Sequence, residues 1–229
     1  MADDVTTVKT SPGKDRPTRR DRAYATRLRI VKAAYELFCE RGYAGTMLAD
    51  VAAAAGVAVQ TVRFNFHTKG ELLSRAYDFA VLGEGEPVPP RQQPWRAAAA
   101  GAPDVTSALG HLVPGIGAIL ARATPLDTVV RGSVTGDPET ARVRALHERW
   151  RAEGYREILD ILLLKAPLHP GLTPERATHL LLLYLGMDVY RVLVHDLAWT
   201  HESWRDWVVA TISLELFGKE IEPEPVTSR

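Results

Sequence analysis

The 229-residue sequence predicts an all-α fold, a helix-turn-helix unit near the N-terminus followed by a larger helical body, and three observations carry that prediction. Apolar residues recur at helical spacing on both sides of a single glycine between Thr46 and His67. Start signals such as Asp137-Pro138-Glu139 and Thr173-Pro174-Glu175 open long stretches of helical period further on. No segment reads as a convincing strand, and no internal repeat is present.

Composition bounds the reading before any element is placed. A hydrophobic content of 46% is ample for a core, and the length alone does not decide between one large domain and two small ones. The formal net charge is zero, yet residues 1 to 75 carry thirteen Lys and Arg against eight Asp and Glu, leaving fifteen against twenty for the rest. A basic front and an acidic back suit a module that faces phosphate joined to a body that does not, or else a solvated tail. Cys39 stands alone beside Phe38, which excludes an intramolecular disulfide and points to a small packed side chain. The first residues have no apolar stretch of the secretory kind, so the protein is expected to stay in the cytoplasm. The most apolar run, Leu180 to Leu197, is interrupted by Asp188, Arg191, His195 and Asp196, too costly for lipid and ordinary for a buried helix.

In chain order, residues 1 to 20 mix Pro, Gly, Thr and charge without period and read as a disordered basic arm. Lys14, Arg16, Arg19, Arg20 and Arg22 at its end either follow a phosphate backbone or merely keep the tail soluble. A first helix from about Arg22 to Arg41 turns Ile30, Ala34, Leu37 and Phe38 inward and stops at Gly42. Thr46 is the expected N-cap of a second helix whose Leu48, Val51, Ala52 and Ala55 form one apolar stripe. Gly56 ends it in the left-handed conformation. A third short helix follows with Val59, Val62, Phe64 and Phe66 apolar and Gln60, Thr61, Arg63 and Asn65 polar. Thr68 to Glu71 spells a capping box that opens a fourth helix to about Leu82.

Residues 21 to 82 thus form one domain. The Pro- and Gly-rich stretch at 83–94 reads as a linker, and 95–218 as a second helical domain with a tail at 219–229. Within it, Trp95 to Ala123 form one or two helices broken or bent by Pro103 and Pro114. A helix from Asp137 runs to about Lys165. The long apolar helix that starts at Thr173 reaches about Trp199, and a last one spans about Glu202 to Phe217.

Ile30, Ala33, Ala34, Leu37, Phe38, Gly42-Tyr43, Thr46, Asp50-Val51-Ala52, Ala55-Gly56-Val57, Gln60-Thr61-Val62, Phe66, Lys69 and Leu72-Leu73 recur at spacings that are highly specific. On them, residues 28 to 77 resemble the DNA-binding domain of the TetR family of transcriptional regulators. The resemblance implies DNA contact from Thr46, Gln60, Thr61 and Lys69. Val59, Arg63, Phe64 and Asn65 join them by their place on the outward face, where Arg suits phosphate or guanine, Gln and Asn suit adenine, and an apolar side chain suits a thymine methyl. Equally open at this stage is a Phe64 in the core and an Asn65 that serves the helix end. Met47, Leu48, Ala58 and Arg63 depart from the family pattern, which has Thr or Ser at the first three and Tyr at the last.

The resemblance further implies a homodimer joined through the two C-terminal helices, double-stranded DNA as partner, and a small-molecule effector enclosed by residues 95 to 197. Two reading heads one helical turn of DNA apart suit a near-palindromic operator, from which a repressor is released by its effector. Trp95, His111, Trp150 and Tyr155 are candidate pocket residues, with the polar stripe Tyr184, Asp188 and Arg191, which either meets the effector or pairs Asp188 with Arg191. Catalysis is not expected: the seven histidines are scattered, His195 and His201 lack metal-pair spacing, and no phosphate-cradling loop or activated nucleophile appears. No metal or cofactor is implied, nor a membrane. The competing class is a helical protein-interaction module that has lost sequence-specific DNA binding.

Overall fold

The computed structural model describes residues 18–83, 89–133 and 138–219, and every described element is helical. α1 (Arg19–Gly45), α2 (Leu48–Ala55), α3 (Val59–Asn65) and α4 (Lys69–Leu82) form the N-terminal unit. A single 3-10 turn, Pro90–Gln92, leads into α5 (Pro94–Gly101) and the central α6 (Val105–Ser133). α7 (Pro138–Leu163), α8 (Pro174–Tyr184), the one-turn α9 (Met187–Tyr190), a π-helical turn (Arg191–Asp196) and α10 (His201–Phe217) complete the chain.

α1 starts earlier than its sequence suggests. Thr18 accepts from the Asp21 amide while Asp21 accepts from the Thr18 amide and hydroxyl, a closed capping box that puts Arg19, Arg20 and Arg22 on a helix rather than in an arm. Lys14 and Arg16 lie outside the described residues. The helix also runs past Arg41, with a kink at Gly42, whose φ of 73° no side chain tolerates cheaply. Ile30, Ala34 and Phe38 are fully buried, as their spacing requires.

Of the two prolines expected to break or bend the chain, Pro114 does not end a helix. Pro114 and Pro125 sit inside one 29-residue helix. A proline costs an intrahelical bond, but α6 is the axis against which α1, α4, α5, α7, α9 and α10 all pack. That packing holds the helix together against the local penalty. Only the segment around Pro103 is a true break, between α5 and α6.

The long apolar helix from Thr173 also ends sooner than expected. Its start is correct, with Thr173 accepting from the Arg176 amide. It stops at Tyr184 because Gly186 turns the chain in extended conformation so tightly that a Cβ there would lie 2.6 Å from the Leu182 carbonyl oxygen. The Tyr155 hydroxyl then donates to the Leu185 carbonyl at 2.6 Å, satisfying an acceptor the break exposes. The polar stripe beyond it is therefore not one face of a helix. Asp188 pairs with Arg131 at 3.0 Å and Arg191 with Asp196, so the expected Asp188–Arg191 pair does not form.

Cys39 is half-buried, and burial pushes its thiol up to about 11. Gly56 has φ 64° with nothing within 4 Å of the Cβ it lacks, so its role is backbone conformation alone. Gly56→Ala is expected to cost about 1 to 2 kcal/mol, read as a shift of the urea midpoint at constant slope; an unchanged midpoint contradicts this account of the turn.

Candidate nucleic-acid interface and ligand cavity

The α2–α3 turn is built from a buried side and an open one. Val51, Ala52 and Ala55 of α2, Val62 of α3 and the following Phe66 are buried against α1 and α4. Small alanines on α2 let α3 approach closely. Having spent Val62 and Phe66 on the core, α3 turns Gln60, Arg63 and Phe64 to the outside. Phe64 is 85% exposed, which settles that it is a surface residue and not core. The ring stands at the outer face of a seven-residue helix, available for contact. Val59 and Thr61 are half-buried beside it. Asn65 is tied to the helix end, its side-chain amide donating to the Thr61 carbonyl at 2.8 Å.

Thr46 is not at the surface of this site. It is 1% exposed, and its hydroxyl meets the carbonyls of Leu37 and Gly42 at 3.1 and 2.9 Å, closing the end of α1. The N-cap of α2 is Met47, which has no side-chain acceptor; half of a capping box survives because Asp50 accepts from the Met47 amide at 3.1 Å. Ala58 caps α3 with no side-chain bond either. At the next helix the expected cap does form: Thr68 accepts from the Glu71 amide and Glu71 from the His67 amide, which lowers the Glu71 carboxyl below its ordinary range. Lys69 opens α4, its ammonium 4.3 Å above the Tyr43 ring.

α4 links this surface to the body at three places. At its first turn the Gly70 amide donates to Glu139 of α7 at 3.0 Å, a contact so close that a Cβ on residue 70 would clash with that side chain. In its middle, the Tyr77 hydroxyl donates to Asp127 of α6 at 3.0 Å, and Arg131 holds the other oxygen of that carboxylate at 2.6 Å. At its end, Arg122 of α6 donates to the carbonyls of Ala80 and Val81 at 3.0 and 3.4 Å, while Tyr35 of α1 donates to the Arg122 carbonyl at 2.8 Å.

Between α4, α5, α6 and α7 lies a cavity of about 450 Å³. Trp95, Trp150 and Tyr155 line it. His111 is exposed on α6 away from it, Tyr184 stacks edge-on against Trp207 at 6.0 Å, and Asp188 and Arg191 are held in their own ion pairs, so these four do not line it. Close approach of α5 to α6 fixes Trp95: a Cβ on Gly115 would lie 2.5 Å from the indole. Sequence reasoning missed Tyr77, Asp127, His147 and Arg151. The signal was present on α7, where Arg144, His147, Arg151, Tyr155 and Ile158 recur every three or four residues and share the face that meets the cavity. His147 stacks on Tyr77 with ring centroids 4.1 Å apart, and burial holds it below its ordinary value against the opposing pull of Asp78 and Asp127. Burial, then Asp127, raise the Tyr77 phenol well above its ordinary value.

Residues 30–76 match the family model for bacterial regulatory proteins of the tetR family. No curated protein matches the chain. Among solved structures, NalD, the secondary repressor of the MexAB-OprM multidrug efflux pump in Pseudomonas aeruginosa, is 19% identical, with 86% of this chain and 97% of that one covered at a TM-score of 0.64. A linker-substituted mutant of HlyIIR is 18% identical, with 87% of this chain and 99% of that one covered at 0.61. The all-α fold is shared over nearly the whole length, and the N-terminal unit is a tetR-family helix-turn-helix domain.

Thr46→Val is expected to lower unfolding free energy by about 1 kcal/mol, measured in urea, since the hydroxyl serves the fold; undiminished stability contradicts that. The His147 site predicts a pH effect as well. Its folded value lies below the 6.5 of the free side chain, so no cost arises above that pH and one grows as pH falls through it. The loss of thermal midpoint between pH 7 and 5 should be shallower in His147→Gln, and equal slopes for the two proteins contradict this.

Proposed function

We propose that this protein, which carries a tetR-family DNA-binding domain, is a homodimeric transcriptional repressor of the cytoplasm that leaves a near-palindromic operator when a small molecule fills the α4–α7 cavity. The observation that carries the reading is α3 itself. Val62 anchors it while Gln60, Arg63 and the 85%-exposed Phe64 point away from the protein, the arrangement a helix needs to enter a major groove. Arg63 supplies a charged donor, Gln60 a paired donor and acceptor, and Phe64 an apolar surface for a thymine methyl. Lys69 and the first turn of α4 take a phosphate beside the groove. The reading head at 21–82 and the body at 95–218, joined by 83–94, divide these tasks.

Dimerisation is supported by the C-terminal helices. Leu183 of α8 and Leu214 of α10 are 53% and 47% exposed, large apolar side chains on two helices that already share a core through Leu181 and Leu216. A second copy covers them and sets the separation of the two α3 helices. α6 and the Pro174–Asp196 stretch are long and apolar enough to cross a membrane by composition, but α6 packs against six other helices and the other is broken at Gly186. The cavity couples to DNA because its walls include Tyr77 and Asp127, the middle tether of α4. A ligand that changes the position of α6 or α7 changes the position of α4, and does so only as far as it prefers one arrangement.

A mobility-shift assay on the DNA flanking the protein's own gene is expected to give a complex of two protomers per site. Arg63→Ala and Gln60→Ala should each weaken it by about 1 to 3 kcal/mol while sedimentation still reports a dimer. A monomer, or unimpaired binding by both variants, overturns the reading.

A further inference from the structure

The cavity carries information about what fills it. Its four lining carboxylates are already matched by cations: Asp78 with Arg75 at 3.2 Å, Asp127 with Arg131 at 2.6 Å, Glu148 with Arg144 at 2.8 Å and Glu157 with Arg96 at 2.7 Å. Arg151 has no counterpart. Its Nε is sealed from solvent and meets no acceptor, and no hydrogen bond or ion pair reaches it from any described residue. One turn earlier on the same face of α7, the Nε2 of His147 is also sealed without a hydrogen bond, its nearest carboxylate, Asp78, standing at 3.8 Å. Two donors at i and i+4 thus converge on one wall, while Tyr77, Trp95, Trp150, Ile116, Ile119 and Leu120 make the rest of the chamber aromatic or aliphatic.

We propose that the cavity binds an amphipathic organic anion, a carboxylate on an apolar ring or chain, whose oxygens meet Arg151 and His147 while its body lies between Trp95 and Trp150. This rests on the effector reading above and assigns its chemical class. A guanidinium whose Nε is sealed from water without an acceptor is costly, and a carboxylate is the group whose two oxygens match its geometry. A cationic ligand finds no such vacancy, because every lining carboxylate is engaged and the cations behind Asp78 and Asp127 repel it. A neutral ligand leaves the guanidinium charge uncompensated. Burial keeps His147 neutral, which leaves a proton on Nε2 to donate in one tautomer.

The test is calorimetric titration of the full-length protein with three molecules of one shape: 1-naphthylacetate, 1-naphthylacetamide and 2-(1-naphthyl)ethylammonium. The carboxylate is expected to bind about tenfold or more tighter than the amide, with the ammonium weakest. Arg151→Met should erase the difference between carboxylate and amide, and Arg151→Lys, which keeps charge and bulk, should retain much of it. Circular dichroism establishes that the variants fold, and the three-ligand comparison on the wild type decides alone should Arg151→Met be unstable. Equal affinities, a preference for the ammonium, a preference that survives Arg151→Met, or no binding of any of the three up to millimolar concentration overturns the proposal. The wild-type mobility shift is run in parallel. Failure to bind DNA with the carboxylate preference intact sinks the regulator reading and leaves the ligand class standing.

Discussion

The constraint on which the rest depends is the threefold attachment of α4. Its first turn is held by Glu139, its middle by Asp127 through Tyr77, and its last carbonyls by Arg122. All three partners come from the body, two from α6 and one from α7. A helix fixed at one point can pivot, but one held along its whole length moves only when its supports move. Since α1 and α4 pack on each other and carry α2 and α3, the orientation of the reading helix is set by side chains of the body.

The same contacts form one wall of the cavity, and this is more than proximity. Tyr77, Asp127, Arg131 and Asp188 make a chain of donors and acceptors running from α4 through α6 to α9, partly withdrawn from water, where such bonds are stronger and their loss costs more. Met187 accepts from the same Tyr77 hydroxyl at 3.3 Å. A molecule that displaces any member has to reorder the set. The chain is buried at Tyr77 and Asp127 and open to solvent at Asp188, so it joins the interior of the fold to its surface.

How far the sequence could be read follows from which forces are local. The α2–turn–α3 unit was legible because Gly56, the alanines and the apolar stripe act within a dozen residues. The starts of α4 and α8 were legible for the same reason: Thr68 and Thr173 cap their own chains. Pro114 misled as a possible break because the packing that keeps α6 whole comes from six other helices, and Gly186 was overlooked because its turn is sealed by Tyr155, thirty residues earlier. Thr46 carried a family role in DNA contact, yet its hydroxyl is absorbed by α1 carbonyls that sequence spacing does not place beside it. At the cavity, aromatic residues were found by type alone. The charged ones were not, since which cation lacks a partner is a property of the whole set of ion pairs and not of any one position.

The contact between Glu139 and Gly70 has one consequence for the proposed regulator. A carboxylate of the body already accepts from the Gly70 amide at the start of α4, so in the proposed regulator a DNA phosphate and Glu139 compete for the same helix end. Displacement of α7 away from α4 removes that rival and strengthens the grip on DNA, whereas displacement toward α4 seats it more firmly. Whether a given effector acts as inducer or as corepressor then turns on the direction in which it drives one helix, and two ligands of the same chamber can elicit opposite genetic responses.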